Sequence, residues 1–314
     1  MIPDIAIVGA GAIGLLTARS LANAGLRVVL VDSGTAAKQA SWAGGGILSP
    51  LPPWKYSDPI NTLAQRSQLL YERLCDDLLS ETGIDPQHIV SGMRVLGDQR
   101  IATEWLQRWH RHSEFSSGGE LFLPHVAQLR TPRFGQALRQ SVINHPKVRL
   151  LENEPVTGLL VRAGQCSGLR LKSGNTLEAG AVIVAAGAWS AEFLPANEWQ
   201  PSIAPVRGQM LLFKAQPGLL NEIVLDGRRY LIPRKDGRIL IGSTLEHVGF
   251  NQKTTAEAAD TLRSSAINLL PALANAPVEH HWAGLRPGAP DSVPYIGKQP
   301  AIKNLHYNSG QYRN

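Results

Sequence analysis

The sequence is poor in sulphur and contains no long apolar stretch. Its 314 residues include three methionines and two cysteines, Cys75 and Cys166. Neither cysteine has a CxxC partner or metal-ligand spacing, which predicts structural thiols in a reducing compartment. No run of about 18 apolar residues is present, so we expect no membrane span. The N-terminus lacks a basic segment followed by a cleavable apolar one, and we therefore expect a cytoplasmic protein.

Dense basic blocks are also absent from the sequence, although the formal net charge is +6. The arginines occur singly or in short pairs, such as Arg228 and Arg229. This distribution favours a mildly basic surface that attracts small anions over a nucleic-acid interface. We therefore expect no nucleic-acid partner. The nine histidines show no metal-ligand spacing, so we assign none to a metal site.

The order of apolar patterns predicts an α/β fold. Apolar runs at residues 4–8 and 27–31 flank a helical pattern at 13–24, which indicates a βαβ unit with parallel strands. Residues 181–185 are uniformly apolar and end at a glycine, as in a strand buried within a parallel sheet. Residues 206–241 alternate in hydropathy between glycines, which predicts antiparallel strands.

Further segments complete the expected architecture. We predict a loop at residues 41–53 and two helices. The helices are 61–82, with Leu63, Leu70, Leu74 and Leu78 on the apolar face, and 255–270. Short strands are predicted at 148–151, 158–161 and 168–171. The length suits two domains. We expect a Rossmann-type nucleotide-binding domain interleaved with a substrate domain built on a mixed or antiparallel sheet. The nucleotide-binding domain comprises 1–55, 130–205 and 280–314, and the substrate domain comprises 56–129 and 206–279.

The glycine-rich turn after the first strand is the strongest functional signal. Gly9, Gly11 and Gly14 form GxGxxG between a strand and a helix. These glycines permit the tight turn, the approach of a diphosphate to the backbone, and close packing of helix on strand. The helix N-terminus then attracts the phosphates. Asp32 ends the second strand, where its carboxylate can accept hydrogen bonds from ribose hydroxyls.

Two further segments favour FAD over NAD as the dinucleotide. ASWAGGGI at residues 40–47 presents a backbone with few side chains, which suits the ribityl chain and ring of a flavin. VIVAAGAWS at 182–190 ends a strand in small residues, where bulk would collide with a dinucleotide. Each segment alone is also compatible with a simple glycine turn. Together they predict a flavoprotein.

Several segments carry a resemblance to a known family. Beyond the βαβ unit they are SWAGGGILSP (41–50), VIVAAGAWS (182–190), PVRGQ (205–209), YLIPRKDGRILIGST (230–244), HWAGLRPGAPDSVPYIG (281–297) and NSGQYRN (308–314). The chain resembles the D-amino-acid oxidase superfamily of FAD-dependent oxidoreductases. Within it the chain is most similar to the bacterial glycine oxidases of thiamine biosynthesis. The likeness extends over nearly the whole chain, with the motifs in family order.

The resemblance implies a set of residues around non-covalently bound FAD. The cofactor-binding residues would be Gly9, Gly11, Ala12, Ile13, Gly14, Asp32, Ser33, Ala40, Ser41, Gly45, Gly46, Ile47, Val156, Gln311, Tyr312, Arg313 and Asn314. The turn would hold the diphosphate, Asp32 and Ser33 the ribose, and Val156 the adenine. Family members usually carry histidine at the position of Gln311 and continue beyond that of Asn314, so we expect a departure near the flavin.

The resemblance also implies that Arg286 binds the carboxylate of the substrate, helped by Tyr230 and with Arg313 nearby. A planar guanidinium suits this role because its fork of donors grips a carboxylate at two points. Apart from the family resemblance, a surface salt bridge is an equally good interpretation of Arg286. A tyrosine such as Tyr230 is more often a half-buried aromatic side chain on a strand.

The implied reaction is oxidative deamination of glycine and related small amines. Hydride transfer to the flavin yields an imine that hydrolyses to glyoxylate and ammonia, while dioxygen is reduced to hydrogen peroxide. Because the flavin does the chemistry, no catalytic acid–base pair is expected. The alternatives are an FAD enzyme acting on sarcosine or D-amino acids, a tRNA-modifying FAD oxidase, and a non-catalytic flavin-binding protein. We also expect a homo-oligomer.

Overall fold

The computed structural model describes residues 1–97, 101–193 and 199–312. Within these ranges the helices are α1 (Ala12–Asn23), α2 (Ala40–Ala43), α3 (Asp58–Thr82), α4 (Ala102–Arg108), α5 (Thr131–Asn144) and α6 (Ala256–Leu269). The strands are β1 (Ile5–Val8), β2 (Val28–Val31), β3 (Ile89–Val90), β4 (Met93–Val95), β5 (Glu114–Phe115), β6 (Leu121–Leu123), β7 (Ala127–Gln128), β8 (Val148–Leu151), β9 (Val156–Arg162), β10 (Gln165–Leu171), β11 (Thr176–Glu178), β12 (Ala181–Val184), β13 (Ala204–Phe213), β14 (Ile223–Asp226), β15 (Arg229–Pro233), β16 (Ile239–Gly242), β17 (Val278–Gly288), β18 (Tyr295–Lys298) and β19 (Leu305–Ser309). Short 3-10 helices cover Pro53–Lys55, Gly187–Phe193, Pro271–Leu273 and Pro290–Ser292.

A six-stranded sheet forms one half of the molecule. Its order is β18-β19-β12-β1-β2-β8, and only the edge strand β18 is antiparallel to its neighbour. Because side chains alternate along a strand, the two faces bury different residues. Ile7 and Leu30 pack against α1, α3 and α5, whereas Val8 and Val31 pack against β10 of a three-stranded sheet. The predicted βαβ unit and the buried strand near residue 182 are confirmed.

An eight-stranded sheet forms the other half, in the order β17-β13-β16-β15-β14-β4-β6-β5. All neighbouring strands are antiparallel except β14 and β4. One face, including Leu231 and Ile241, packs against Leu262 of α6. The opposite face, including Met210 and Ile232, belongs to a cluster that contains side chains from the segment after α2. The antiparallel strands predicted between residues 206 and 241 are therefore confirmed, as is the mixed α/β fold class.

The structure corrects two sequence-based expectations about individual elements. The predicted loop at 41–53 begins with one helical turn, α2, because Ala40–Ala43 contains residues that favour helix before the glycines. Helix α3 is present, but Leu63 and Leu70 are exposed at 45% and 59%, so the predicted apolar face is wrong there. Leu74 and Leu78 do face the core, together with Cys75.

The division into two domains stays a prediction. One strand spans the expected boundary between residues 279 and 280. Residues 278–288 form β17, which pairs with β13 along most of its length in the eight-stranded sheet. Residues 280–288, expected in the nucleotide-binding domain, thus lie beside the predicted substrate domain. This placement matters because β17 carries Arg286.

Among the described residues, the helices are too short or too polar to cross a membrane. Both cysteines are free and buried. Burial raises the pKa of the Cys75 thiol to about 12 and raises the pKa of Cys166 as well. Both thiols therefore stay protonated near neutral pH and are poor nucleophiles.

Candidate cofactor and substrate site

Four parallel strands bring the predicted cofactor residues to one edge of the six-stranded sheet. Strands β1, β2, β12 and β19 run in the same direction, so their carboxyl ends meet there. Gly9 follows β1, Asp32 follows β2, Ala185 follows β12, and Gly310 follows β19. Ligands of open α/β sheets bind beyond the carboxyl ends of the strands. This edge is therefore the expected position of the dinucleotide.

The turn after β1 requires glycine for steric reasons. Gly9 has φ +100°, and a methyl group there would lie 2.5 Å from the carbonyl oxygen of Ala185. A methyl group on Gly14 would lie 1.8 Å from the carbonyl oxygen of Gly9. The first and third glycines therefore allow the β12 loop and α1 to approach β1. These are the packing roles that the motif assigns to them.

The N-terminus of α1 is suited to an anion. Gly11 occupies the N-cap without a side chain to cap the helix, and the first turn contains no acidic residue. The backbone N–H of Ala12 donates to Oγ of Ser41 over 2.8 Å, which ties α2 to this turn. The N–H groups of the first turn have no partners within the helix, and they lie at the positive end of its dipole. Ala12 and Ile13 are thus placed where a diphosphate would bind.

Asp32 organises the backbone beside this turn. One of its carboxylate oxygens accepts from the N–H of Ala10 over 2.6 Å, and the other accepts from the N–H of Gly34 over 2.9 Å. Burial raises the pKa of Asp32, although these two hydrogen bonds act in the opposite direction. Ser33 is exposed next to it. Val156 packs in the same cluster as Val31, and the N–H of Glu154 donates to the carbonyl oxygen of Asp32 over 2.9 Å, so the residues expected at the ribose and at the adenine lie close together.

The glycine segment after α2 is held by a buried arginine that the sequence analysis did not single out. Arg234 donates to the carbonyl oxygens of Gly45 over 2.7 Å and Leu129 over 2.9 Å, and to Oε1 of Gln128 over 2.8 Å. Burial lowers the pKa of Arg234 to about 10. Gly46 has φ +78° and no room for a side chain against Leu129. Arg234 therefore fixes the backbone where the flavin ring is expected.

The remaining predicted cofactor residues contribute unequally. The side chain of Ile47 is buried in the cluster under the eight-stranded sheet, so only its backbone is free to face a flavin. Nε2 of Gln311 donates to Asn308 over 2.8 Å, and Asn308 donates to Thr17 of α1 over 3.0 Å. Gln311 and Tyr312 thus lie at the end of β19, near α1. Arg313 and Asn314 lie outside the described residues.

Strand β17 joins the substrate side to the cofactor side. Nε1 of Trp282 donates to the carbonyl oxygen of Ala43 over 3.0 Å. A methyl group on Gly284 would lie 2.4 Å from Cβ of Ala43, so α2 rests directly on this glycine. Arg286 follows two residues further along the same strand. The position of α2 and the position of Arg286 are therefore set by one strand.

The guanidinium of Arg286 is held by backbone and hydroxyl oxygens. Nη2 donates to Oγ of Ser243 over 2.6 Å, and Nη1 donates to the carbonyl oxygen of Thr244 over 3.3 Å. A methyl group on Gly208 would lie 2.2 Å from Nη1, so the guanidinium lies over this glycine. Within residues 1–97, 101–193 and 199–312, no carboxylate forms an ion pair with Arg286. Its positive charge is free to bind an anionic ligand.

Tyr230 lies on β15, next to the same segment. A methyl group on Gly242 would lie 2.7 Å from the Tyr230 hydroxyl, and one on Gly45 would lie 3.4 Å from its ring. Gly242 immediately precedes Ser243, which binds Arg286. Tyr230 therefore lies between the glycine segment expected at the flavin and the segment that holds Arg286. The structure brings these two predicted substrate residues to one place.

The motif PVRGQ places functional residues on both faces of β13. Buried Arg207 forms an ion pair with partly exposed Glu246, and Nε2 of Gln209 donates to Oε1 of Glu246 over 2.9 Å. Gly208, between them, leaves room for Arg286 on the opposite face. In the sequence, this motif is recognisable only as part of a family resemblance. The roles of Gly208 and Ser243 depend on strand register, which the motif alone does not reveal.

A cavity of about 610 Å³ opens beside Tyr230. Its lining comes from the segment after the glycines, from the β14–β15 hairpin and from Ser243 to Leu245. Among the described residues that line it, none is an aspartate, a glutamate or a histidine. The cavity can bind and orient an anion, but it offers no side chain to act as a general base near neutral pH.

Comparisons with known proteins agree with this geometry. The family model described as "FAD dependent oxidoreductase" matches residues 4–314. The chain belongs to this family. It is 43% identical to the glycine oxidase of Pseudomonas aeruginosa PAO1, over 99% of this chain and 90% of that protein. It is 31% identical to the bifunctional protein ThiO/ThiG of Synechocystis, covering 99% of this chain and 49% of that protein. The crystal structure of glycine oxidase from Geobacillus kaustophilus superposes with a TM-score of 0.91 at 27% identity, covering 99% of this chain and 90% of that one.

The residues present fit the FAD of this family. Gly9 and Gly14 shape a turn that side chains would fill, and the α1 N-terminus presents backbone donors toward it. Gly45 and Gly46 continue the side-chain-poor path toward Tyr230. The chain is accordingly an FAD-dependent oxidoreductase.

Proposed function

We propose that this protein oxidises glycine and related small amino acids with bound FAD. The observation that carries the proposal is the guanidinium of Arg286, which has no acidic partner among the described residues and lies beside Tyr230 and the glycine segment. A planar cation in this position suits a carboxylate held at two points. The similarity to glycine oxidases over 99% of the chain supports glycine as the substrate.

In the proposed mechanism the protein binds and orients its substrate. Arg286 holds the carboxylate, the Tyr230 hydroxyl donates a further hydrogen bond to it, and Ser243 keeps the guanidinium in place. Fixing the carboxylate places the α-carbon toward the Gly45 segment, so the reacting atoms meet in one geometry. FAD, held by the α1 N-terminus and the glycine segment, would supply the two-electron acceptor for the α-carbon, with dioxygen as the final oxidant. The resulting imine hydrolyses to glyoxylate and ammonia.

The test is anaerobic mixing of the purified yellow protein with glycine, sarcosine or D-alanine while the flavin absorbance is followed. We expect glycine to bleach the flavin. Replacing Arg286 with Ala should raise KM for glycine by about 100-fold or more, because a charge-assisted contact made at two points is lost. Arg286→Lys keeps the charge without the fork and should fall between. An unchanged KM in both variants would contradict the role of Arg286, and a flavin that no amine bleaches would contradict the oxidase function.

We further infer a homo-oligomeric, cytoplasmic enzyme that supplies thiamine thiazole synthesis. Similarity to ThiO/ThiG supports the pathway. The apolar side chains of Leu69 and Leu70, 81% and 59% exposed on α3, support the oligomer, because such patches commonly mark protein interfaces. Light scattering of the wild type and of Leu69→Glu tests this: the wild type should be larger than one chain, and the variant should be smaller.

A further inference from the structure

A second cavity, of about 470 Å³, lies at the turn of the β15–β16 hairpin. Its walls come from α2, from the start of α5 and from the eight-stranded sheet. Within the described chain, this cavity shares no lining residue with the one beside Tyr230, and no residue of the set expected to hold FAD lines it. Tyr230 and Arg234, one at each cavity, are separated by about 13 Å of extended strand. A volume of this size accommodates a small ligand.

One part of the second cavity suits a planar apolar group. The indole rings of Trp42 and Trp282 line it and lie edge to face, with their centroids 5.8 Å apart. Leu212 and Leu240, which are paired directly across β13 and β16, add aliphatic side chains. An aromatic ring placed beside these side chains buries apolar area and makes favourable contacts with the indoles.

The other part of the second cavity is positively charged. Arg130, Arg234 and Arg238 line it, whereas none of its described lining residues is acidic. Two carboxylates lie close by, because Asp236 pairs with Arg130 and Arg238, and Glu279 pairs with Arg238. Among these five side chains, three guanidinium groups therefore face two carboxylates. One positive charge is left in excess.

Two of the guanidinium groups keep free donors. Nε of Arg234 makes no hydrogen bond within the described part of the chain, although both Nη atoms bind oxygens of the backbone or of Gln128. Burial lowers the pKa of Arg234 to about 10, so the group is still charged near neutral pH. Nη1 of Arg130 donates to Asp236 over 2.8 Å, whereas its Nε and Nη2 have no partner among the described residues.

The N-terminus of α5 borders the same charged part. Arg130 is the N-cap residue, and Thr131 and Pro132 of the first turn line the cavity. The N-cap residue makes no side-chain capping hydrogen bond, and the first turn contains no acidic residue. The positive end of the helix dipole therefore adds to the field of the arginines and favours an anion here.

We propose that the second cavity binds a planar aromatic carboxylate. The ring packs beside Trp42 and Trp282, and the carboxylate accepts from Nε of Arg234 and from the free donors of Arg130. One excess positive charge matches a singly charged carboxylate. The site is separate from the proposed substrate anchor, because Arg286 binds Ser243 at the opposite end of β16. The proposal does not depend on which amine the enzyme oxidises.

The probe is 2-naphthoate, titrated by calorimetry into the FAD-loaded wild type and into FAD-loaded Arg286→Ala. The variant lacks the proposed substrate anchor, so acid that binds it is not held by Arg286. We expect a site of the same Kd, within about twofold, in both proteins. The neutral amide 2-naphthamide has nearly the same shape and should bind about tenfold more weakly, because a charge-assisted hydrogen bond to a buried cation is lost.

Arg130→Gln should raise the Kd for 2-naphthoate about threefold, as expected for the loss of one partly exposed charge. The matched control is Arg94→Gln. Arg94 also pairs with an acid, Glu222, and its side chain is 36% exposed against 29% for Arg130, but it lies on β4 and lines neither cavity. This variant should keep the wild-type Kd. Circular dichroism confirms that both variants are folded.

Several results would overturn the site. The wild type could bind no 2-naphthoate, the acid and the amide could bind equally well, or Arg130→Gln and Arg94→Gln could change the Kd to the same extent. Binding that disappears in Arg286→Ala would assign the acid to the substrate anchor and would overturn the second site as well. Binding that persists in Arg286→Ala and weakens in Arg130→Gln supports it.

Discussion

At the scale of single residues, the site depends on glycines that make room for functional side chains. Gly208 lies under the guanidinium of Arg286, and Gly242 lies under the hydroxyl of Tyr230. Neither glycine would contact the substrate in the proposed mechanism. Each glycine determines where a substrate-binding group lies, namely the guanidinium of Arg286 or the hydroxyl of Tyr230. Substitutions at these glycines should therefore alter catalysis without removing any atom that contacts the substrate.

Gly208→Ala should displace Arg286 because the added methyl group would lie 2.2 Å from Nη1. A displacement of about 1 Å at the carboxylate should lower kcat/KM for glycine by about 100-fold. Steady-state kinetics and circular dichroism together check this. Gly158→Ala is the control, because a methyl group there meets no atom within 4 Å and the strand should accept it. Equal kinetics for Gly208→Ala and the wild type would refute the packing role.

Arg234→Met should loosen the glycine segment at the flavin. The variant removes three hydrogen bonds made by a buried cation, two of them to the carbonyl oxygens of Gly45 and Leu129. We expect a loss of about 3 kcal/mol in the free energy of unfolding and weaker FAD binding. Denaturant melts and flavin titration measure the two effects.

Arg238→Met is a suitable control for that variant. Arg238 pairs with Asp236 and Glu279, and its side chain is 33% exposed. Such pairs contribute at most about 1 kcal/mol. If both variants lost the same stability and bound FAD equally well, Arg234 would have no special role at the glycine segment.

At the scale of elements, patterns local in sequence predicted the structure best. The GxGxxG turn, its two strands and α1 follow from spacing within about 30 residues, which one βαβ unit contains. Helix α5 was not anticipated, because the glycine and proline within its first turns mask a pattern that is otherwise amphipathic. The exposure of Leu63 and Leu70 on α3 was also missed, since the sequence does not show which of two apolar stripes meets the core.

The candidate site follows the same rule. Arg286 and Tyr230 were found through a resemblance, and each lies in a local motif. The partners Gly208 and Ser243 were not, because their roles arise from strand pairing across long separations: Val206 pairs with Arg286, and Met210 pairs with Gly242. The register between strands that are distant along the chain cannot be read from a single sequence.

Trp282→Phe tests the link between β17 and α2. The change removes the hydrogen bond to the carbonyl oxygen of Ala43 and keeps most of the aromatic contact with Trp42. We expect about 1 kcal/mol less stability and a several-fold rise in the Kd for FAD, since α2 is held less firmly. Trp199→Phe is the control, because Trp199 packs on Tyr295 and Tyr307, away from α2. Unchanged FAD binding in Trp282→Phe would contradict the link.

At the scale of the whole molecule, acid should destabilise the fold before most carboxylates titrate. Burial lowers the pKa of His125 from 6.5 to about 4, with the nearby charge of Arg111 acting in the same direction and a hydrogen bond with the His112 backbone acting in the opposite one. The unfolded chain therefore binds more protons than the folded one between pH 6.5 and 4. The contribution of neutral His125 to the free energy of unfolding is therefore complete above pH 6.5 and is lost as the pH falls toward 4.

His125→Gln should flatten this part of the pH profile. Between pH 6.5 and 4.5, the wild type should lose about 3 °C more in Tm than the variant. The pKa values of His88 and His281 are also lowered by burial, so part of the acid sensitivity remains in both proteins. Calorimetry at matched ionic strength gives the comparison. Parallel profiles would show that His125 is not the group responsible.

The contact between Gly284 and Ala43 has a consequence for communication within the enzyme. No side chain of β17 intervenes at this point, so a shift of α2 must move the strand that carries Arg286, and the reverse holds as well. Ligand affinity at the carboxylate anchor and cofactor affinity at the glycine segment are then thermodynamically linked, so each ligand changes the affinity for the other by the same factor. The positions of Ala43 and Gly284 would therefore evolve together, because a larger side chain at either one would break this contact.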